Sequence, residues 1–370
     1  MPGALASKDL LFLGSIPLDT AEDVFRWIGG SGLAPHAPAA PDGEVGDRSY
    51  WIVGLAYRVF NGHPDIETVK FPERIGGVEN WKPKDMRDMW SFKVKDGVKA
   101  VRFGDPGRRL GYARDAIESY FVFRTLREKG VIPADLRFQV CLPMSFSAYS
   151  GMFREHPEGY ALLSDGFDEA MAAEIARIAE KIPAHDLAIQ FDSTTESVAL
   201  TVPPGGAMRH GMRAPQGVDM AAIARRSIER LSAAVPRDAL MGYHLCIGSL
   251  TDWPMTRPPD LGPMVTCMNT MLDLSKRPVD FIHFPVLDKA GDDFYAPLKG
   301  LTTGGAKFYI GAIHNMADTD DYRRRLDQVS RYIANFGIGS PCGYGRLNPE
   351  RLTGILADHL TALRLLKGAR

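Results

Sequence analysis

The sequence predicts an α/β protein, a (β/α)8 TIM barrel with an inserted β-hairpin in its N-terminal third. From about residue 135 onward, short apolar runs alternate with amphipathic segments of helical period. The apolar runs lack a polar face, which is typical of parallel strands buried on both sides. A chain of 370 residues is within the length that one barrel reaches. We therefore expect residues 1–370 to form a single barrel domain.

Seven βα units are evident, and their strands are the basis of the fold prediction. The predicted strands are residues 10–13, 136–142, 187–191, 240–246, 279–284, 307–313 and 337–342. Eight units are needed to close a barrel. We place the remaining unit within residues 50–105.

The helices that separate these strands show apolar residues at helical spacing, and two have clear start signals. They are predicted at residues 20–28, 47–60, 112–129, 167–181, 220–234, 320–335 and 349–366. Thr20 is an N-cap residue, and Pro349 stands where a helix begins. Lys95-Asp96-Gly97-Val98 is a hairpin turn signal, which places the inserted β-hairpin at about residues 85–105.

Composition excludes several classes of function. Lys plus Arg (44) nearly balances Asp plus Glu (45), so no nucleic-acid partner is expected. No segment is apolar enough to span a bilayer, and Met1-Pro2-Gly3-Ala4 lacks the basic start of a secretory signal. Four cysteines do not make a disulfide framework. We expect a cytoplasmic enzyme with a small-molecule substrate and no membrane partner; the oligomeric state stays open.

The active site of a TIM barrel lies at the carboxyl ends of its strands. Residues with reactive or ligating side chains at those positions are Ser15, Asp192, His244, Cys246, His283, His314 and Cys342. His244 and Cys246 are two apart on one strand, so both point to the same face. An imidazole and two thiolates, the second from Cys342, suit Zn²⁺. The alternative is a buried cysteine beside a hydrogen-bonded histidine, which is the usual fate of an isolated His-x-Cys.

Short motifs in a fixed order, spanning nearly the whole chain, resemble one known family. They are Leu13-Gly14-Ser15-Ile16-Pro17, Asp42-Gly43-Glu44 with Arg48, Gln190-Phe191-Asp192, Tyr243-His244-Leu245-Cys246, Gly311-Ala312-Ile313-His314 and Ser340-Pro341-Cys342-Gly343. The family is that of the C-terminal barrel of cobalamin-independent methionine synthase. Its relatives include thiol-alkylating methyltransferases and, more distantly, uroporphyrinogen decarboxylase.

The resemblance implies a zinc site and a substrate site at the barrel mouth. By analogy, His244, Cys246 and Cys342 are zinc ligands, and Asp192 and Glu44 serve the substrate. The family's remaining ligand is a Glu, which here is replaced near Pro285. His283 is the residue that would complete the set, since imidazole suits zinc.

Other departures concern the substrates. The residue after Asp192 is Ser193, where the family has Glu-Pro, and the loop at residues 142–146 lacks the Trp on which folate stacks. We therefore expect zinc but no folate, and a thiol acceptor that need not be homocysteine.

The first functional hypothesis is methyl or alkyl transfer to a zinc-activated thiol. Asp192 and His314 would be catalytic, with His314 protonating the leaving group, and substrate-binding residues would be Ser15, Glu44, Arg48 and Tyr149. The second is a metal-independent lyase or decarboxylase, using Asp192, His244 and His314 on an acidic small molecule, aromatic or not. The third is a barrel that only binds a ligand.

Loop residues near the barrel mouth are further candidates for substrate contacts. They are Arg108, Arg109, Arg209, His210 and Arg213 for an anionic group, and Trp51, Phe146 and Tyr149 for a ring. Each candidate also has a structural explanation. Loop charges are commonly solvated, aromatic residues pack, Glu44 and Arg48 can pair on the surface, and Asp192 can cap its loop.

Overall fold

The computed structural model describes residues 5–50, 52–104, 109–207, 213–249 and 253–369. Its strands, in chain order, are β1 Leu10–Leu11, β2 Ala39–Pro41, β3 Ile66–Lys70, β4 Ser91–Val94, β5 Arg137–Pro143, β6 Leu187–Ser193, β7 Leu240–Leu245, β8 Phe281–Pro285, β9 Lys307–Gly311 and β10 Gly337–Gly339. All but β3 and β4 form one eight-stranded sheet, in the order β1-β10-β9-β8-β7-β6-β5-β2, with parallel pairing throughout. The predicted (β/α)8 barrel is confirmed.

The barrel is nearly closed at the seam between β1 and β2. The side chain of Gln139 on β5 donates a hydrogen bond to the carbonyl of Phe12, just beyond β1 (2.7 Å). Beyond the strand ends, the amide of Ile16 donates to the carbonyl of Gly43 (2.9 Å). Side-chain and loop contacts thus join the two edges that no strand ladder connects.

Helices surround the barrel. They are α1 Ala21–Gly30, α2 Tyr112–Glu128, α3 Ser145–Tyr149, α4 Tyr160–Lys181, α5 Glu196–Thr201, α6 Met220–Ala234, α7 Gly262–Leu274, α8 Asp292–Tyr295, α9 Thr319–Ser330 and α10 Leu352–Ala369. The side chain of Thr20 accepts a hydrogen bond from the amide of Asp23 at the start of α1, as the N-cap signal predicts. None of the described helices is both long and apolar enough to cross a membrane.

The location of the eighth βα unit was predicted wrongly. The strand is β2, at Ala39–Pro41, and not within residues 50–105. Three residues of alanine and proline carry no alternation and no β-branched side chain, so no strand pattern marks them. The helix predicted at 47–60 is also replaced, by a 3₁₀ turn at Gly46–Tyr50 and a π turn at Ala56–Phe60.

The inserted hairpin is present in the N-terminal third, but its bounds differ from the prediction. β3 pairs antiparallel with β4, and a long connection at residues 71–90 joins them. The turn at residues 95–98 follows β4 and does not join two strands. Its first residue, Lys95, donates its amide to the carbonyl of Asp65, before β3. Residues 95–98 therefore form the predicted turn. The strand that pairs with β4 is β3, which precedes β4 in the chain, and not a strand after the turn.

An apolar cluster fills the barrel interior below the site. Its members are Leu5, Leu11, Leu13, Ala39, Ala188, Leu240, Phe281 and Tyr309, all buried. A larger shell of buried apolar residues lies between the sheet and the helices. The polar side chains at the strand ends therefore rest on a filled apolar core, which limits their motion.

Candidate active site

A cavity of about 460 Å³ lies at the carboxyl ends of the barrel strands. Strand-end residues that line it are Asp192, His244, Cys246 and Cys342, together with Leu13 and Ser15 from the end of β1. The segments that follow β2, β5, β6, β7 and β10, together with the connection between β3 and β4, supply the rest of the lining. The cavity thus lies where a barrel of this class has its active site.

Two thiols and one imidazole converge in this cavity. The Sγ atoms of Cys246 and Cys342 are 3.5 Å apart, and the ligand atoms of His244, Cys246 and Cys342 all lie within 4.8 Å of one another. The amide of Gly248 donates to Sγ of Cys246 (3.2 Å), and the hydroxyl of Ser249 donates to Sγ of Cys342 (3.0 Å). The loop after β7 thereby fixes both sulfurs. We refer to these three residues as the His-Cys-Cys cluster.

The surroundings of the two sulfurs favour one thiol beside one thiolate. A hydrogen bond from the Cys246 thiol lowers the pKa of Cys342 well below its ordinary value, and His244 and Ser249 act in the same direction. The pKa of Cys246 is raised, first by its hydrogen bond to Cys342 and then by burial. A thiolate next to an imidazole is the form in which a thiol binds metals.

The His-Cys-Cys cluster fits a zinc ion. Tetrahedral zinc with Zn–S distances of about 2.3 Å places two sulfur ligands about 3.8 Å apart, close to the 3.5 Å between Cys246 and Cys342. Nδ1 of His244 contacts His283, which leaves its Nε2 to face the sulfurs. Three protein ligands with room for one more are typical of catalytic zinc sites.

His283 does not lie among the three converging donors. Its Nδ1 is 2.8 Å from Nδ1 of His244, and the two rings are 4.8 Å apart. His283 is fully buried, and both burial and the neighbouring His244 lower its pKa well below the ordinary value. The imidazole of His283 thus contacts the outer nitrogen of His244 and not the sulfurs, and its lowered pKa favours the neutral ring.

Two carboxyl groups share the cavity with the His-Cys-Cys cluster. Asp192 on β6 is in register with His244 on β7, and the side chain of Gln190 donates to its Oδ1 (2.8 Å). Burial raises the pKa of Asp192 to about 7. Glu44 is also buried, and burial, followed by the charges of Asp192 and Asp42, raises its pKa well above the ordinary value. Both groups can therefore hold a proton near neutral pH.

Two of the predicted substrate residues have structural contacts. Ser15 lines the cavity, and its hydroxyl accepts a hydrogen bond from the amide of Gly345 (3.0 Å), which holds the loop that carries Cys342. Arg48 lies outside the cavity, in a small chamber behind Glu44, where it donates to Asp42 (2.7 Å). The ion pair proposed as an alternative for this region exists, although with Asp42 in place of Glu44.

Tyr149 and His314 also lie outside the cavity lining. Tyr149 is fully buried, and its ring contacts Phe146 and Tyr160. Nε2 of His314 lies 2.9 Å from the carbonyl of Val286 and 2.8 Å from the guanidinium of Arg325. Burial, followed by the charge of Arg325, lowers the pKa of His314 to about 4. The position of His314 does not favour the predicted protonation of a leaving group.

The candidate residues on the loops also divide into those that line the cavity and those that do not. Arg213 and Phe146 line the cavity, whereas Arg109 is exposed. Trp51, Arg108, Arg209 and His210 lie outside the described residues. Lining residues that the sequence did not indicate include Met86, Met89, Arg154, Met255 and Arg346. They lie on irregular loops without a motif, and no periodicity in the sequence marks which of their side chains turn inward.

Two solved structures resemble the whole chain. A presumed vitamin-B12-independent methionine synthase from Listeria monocytogenes superposes with a TM-score of 0.55 at 14% identity, over 97% of this chain and 96% of that one. A methyltransferase from Methanosarcina mazei superposes with a TM-score of 0.51 at 10% identity, over 98% and 96%. No family model and no curated protein matches the sequence. The chain shares the fold of these two proteins. The resemblance predicted from the motifs is thus confirmed at the level of the fold.

Proposed function

We propose that this protein is an enzyme that transfers a methyl or other alkyl group to a thiol bound at the His-Cys-Cys cluster. The observation that supports the proposal is the convergence of the three ligand atoms within 4.8 Å in a cavity at the barrel mouth. The likeness to the two solved structures agrees with this reaction class but does not decide the substrate. The acceptor need not be homocysteine.

His244, Cys246 and Cys342 would hold a zinc ion. When bound, the ion would supply the positive charge that favours the thiolate form of a substrate thiol at neutral pH. The chain's own residues prepare the remaining positions. The imidazole of His283 contacts Nδ1 of His244 and so holds the orientation of that ring. The hydroxyl of Ser249 donates a hydrogen bond to the sulfur of Cys342 and holds it in place.

The two carboxyl groups of the cavity orient the acceptor and manage its proton. When ionised, Asp192 and Glu44 accept hydrogen bonds from an ammonium group of the acceptor. In the transfer, the acceptor sulfur forms a bond to the alkyl carbon while the bond from that carbon to its leaving atom breaks. The bonding pair stays with the leaving atom, which takes up one proton. With a pKa of about 7, Asp192 can take up the proton of the acceptor thiol and then pass it to the leaving atom.

Metal content is the first test of the proposal. Protein purified without chelator is expected to contain about one zinc per chain, and Cys246→Ser is expected to lose it. Cys267→Ser is the matched control, because Cys267 is an equally buried thiol on α7 outside the cluster. Metal-free wild-type protein that binds no added zinc would overturn the zinc part of the proposal and favour the metal-independent lyase.

Thiol binding is the second test, and it requires no knowledge of the alkyl donor. In cobalt-substituted protein, an added thiol that joins the metal is expected to change the visible spectrum. A panel of small thiols then identifies the acceptor, and its S-methyl product is sought by mass spectrometry with N-, O- and S-methyl donors. A cobalt spectrum that no thiol changes would contradict the proposed acceptor class.

A further inference from the structure

The cavity above the His-Cys-Cys cluster has more apolar surface than a small thiol requires. Its volume of about 460 Å³ is typical of sites for drug-sized ligands. The walls include Met86, Met89, Phe146, Val198 and Met255, from the loops and the short helices α3 and α5 around the strand ends. Methionine side chains adjust to ligands of irregular shape. These walls suit the body of a second, mainly apolar reactant.

Among the residues that the structure describes, three arginines line the same cavity, and two of them are held by the protein itself. The guanidinium of Arg346 donates to the carbonyls of Ser49 and Ser249 and to the Ser249 hydroxyl. Arg213 is exposed and donates to the carbonyl of Gly205. Arg346 therefore has a structural role beside Cys342, and the charge of Arg213 is solvated.

Arg154 differs from the other two arginines. Its side chain is 21% exposed, and within the part of the chain that the structure describes its guanidinium makes no hydrogen bond. The nearest carboxylate oxygen is on Glu155, 3.9 Å away, and the other oxygen of Glu155 accepts a hydrogen bond from Ser91. A largely buried guanidinium with unused donors is a binding group for an anion.

We infer that the cavity binds a largely apolar molecule with one anionic group, and that this group pairs with Arg154. The acidic Asp192 and Glu44 lie with the His-Cys-Cys cluster at the strand ends, whereas Arg154 lies on the loop after α3. An anion is therefore attracted to the wall that carries Arg154. The opposite, apolar end of the ligand then faces the cluster. The anion site itself does not depend on the proposed function. The identification of its ligand as the alkyl donor does rest on that function.

Ligand displacement in metal-free protein tests the inference. The anionic fluorophore anilinonaphthalene sulfonate reports occupancy, and decanoate, decanol and decylamine compete with it. Decanoate is expected to compete about tenfold better than decanol, with decylamine weakest, because an ionised partner strengthens a hydrogen bond to Arg154. Arg154→Leu is expected to remove the advantage of decanoate and leave decanol unchanged. Equal competition by decanoate and decanol in the wild type would overturn the inference.

Three further variants locate the binding site. Arg102→Leu is the matched control, because Arg102 is a 77% exposed arginine with an equally distant carboxylate partner, and it is expected to change nothing. Val198→Trp fills the cavity and is expected to abolish competition, with circular dichroism as the check on folding. Ile75 is one of the two most exposed large apolar residues on the hairpin insert, with Val78. Loss of fluorophore binding in Ile75→Ser would place the site there and overturn the inference.

The outcomes separate this inference from the proposed function. Decanoate binding that depends on Arg154, in a protein that takes up no zinc, would support the anion site and refute the zinc-dependent transfer. Zinc and thiol binding without preference for decanoate would keep the transfer reaction and refute the anion site.

Discussion

Replacing His283 by phenylalanine removes one hydrogen bond from the imidazole of His244 while keeping a buried ring in place. Because Nε2 of His244 faces the two sulfurs, metal binding there requires the proton on Nδ1, where His283 accepts it at 2.8 Å. A hydrogen bond to a group that carries charge contributes about 1.5 to 3 kcal/mol. Its loss is therefore expected to weaken zinc binding about 10- to 100-fold.

The assay for this prediction is competition for zinc against a chelating dye. His283→Gln is expected to recover part of the affinity, since its side-chain oxygen can accept the same hydrogen bond. His63→Phe is the matched control, because His63 is also buried and hydrogen-bonded but lies beside the hairpin insert. If His283→Phe binds zinc as tightly as the wild type does, with thermal unfolding like that of His63→Phe, the reasoning is refuted.

Three other predictions concern packing and pH. In Gly343→Ala, the new Cβ would lie 2.2 Å from the hydroxyl of Ser15, so zinc affinity is expected to fall at least about tenfold. Gly354 has open space around it, so Gly354→Ala is expected to keep the zinc affinity of the wild type. Burial raises the pKa of Asp168 from 3.8 to about 6. The folded protein therefore favours the protonated carboxyl group, and the free energy of unfolding falls as pH rises from about 4 to 6. In urea unfolding, Asp168→Asn is expected to remove up to about 3 kcal/mol of that fall. His314, with a pKa lowered to about 4 from 6.5, favours the neutral form, so stability is lost as pH falls from 6.5 towards 4. His314→Gln is expected to flatten that acid limb, and an unchanged limb would contradict the assignment.

The barrel was largely predictable because its strands and helices carry strong periodic signals. The helix predicted at 220–234 has the bounds of α6, and the N-cap at Thr20 was identified from its residue type. β2 was not predictable, since three residues cannot display a period and its place is set by pairing with β5. The hairpin was misplaced for a related reason. Which partner β4 takes depends on a connection of about twenty residues that carries no pattern.

The site was predictable where a single strand decides the geometry. His244 and Cys246 share a face because they are two residues apart at the carboxyl end of β7. Cys342 follows the carboxyl end of β10, and the carboxyl ends of parallel strands meet at the same end of the barrel. Contacts between strands depend on register, which one sequence does not show. The pairing of His283 with His244 is a consequence of register. His314 follows β9, and its contacts with Val286 and Arg325 hold it outside the cavity. The orientation of Arg154 depends on loop packing, which follows no short-range rule.

Register also explains why His283 does not take the place of the missing carboxylate. The ladder between β7 and β8 sets His283 level with His244, and Cys246 lies two residues further towards the barrel mouth. Nδ1 of His283 faces Nδ1 of His244, so the ring of His283 lies on the side of His244 that is turned away from the sulfurs. Gly311 on β9 leaves space for that ring, because a Cβ there would lie 2.9 Å from its Cε1. At the level of Cys246, β8 offers only Pro285, which has no donor atom for a metal. In the proposed zinc site, the barrel would thus supply three ligands, with His283 behind His244, and the fourth position would be left to a substrate thiol.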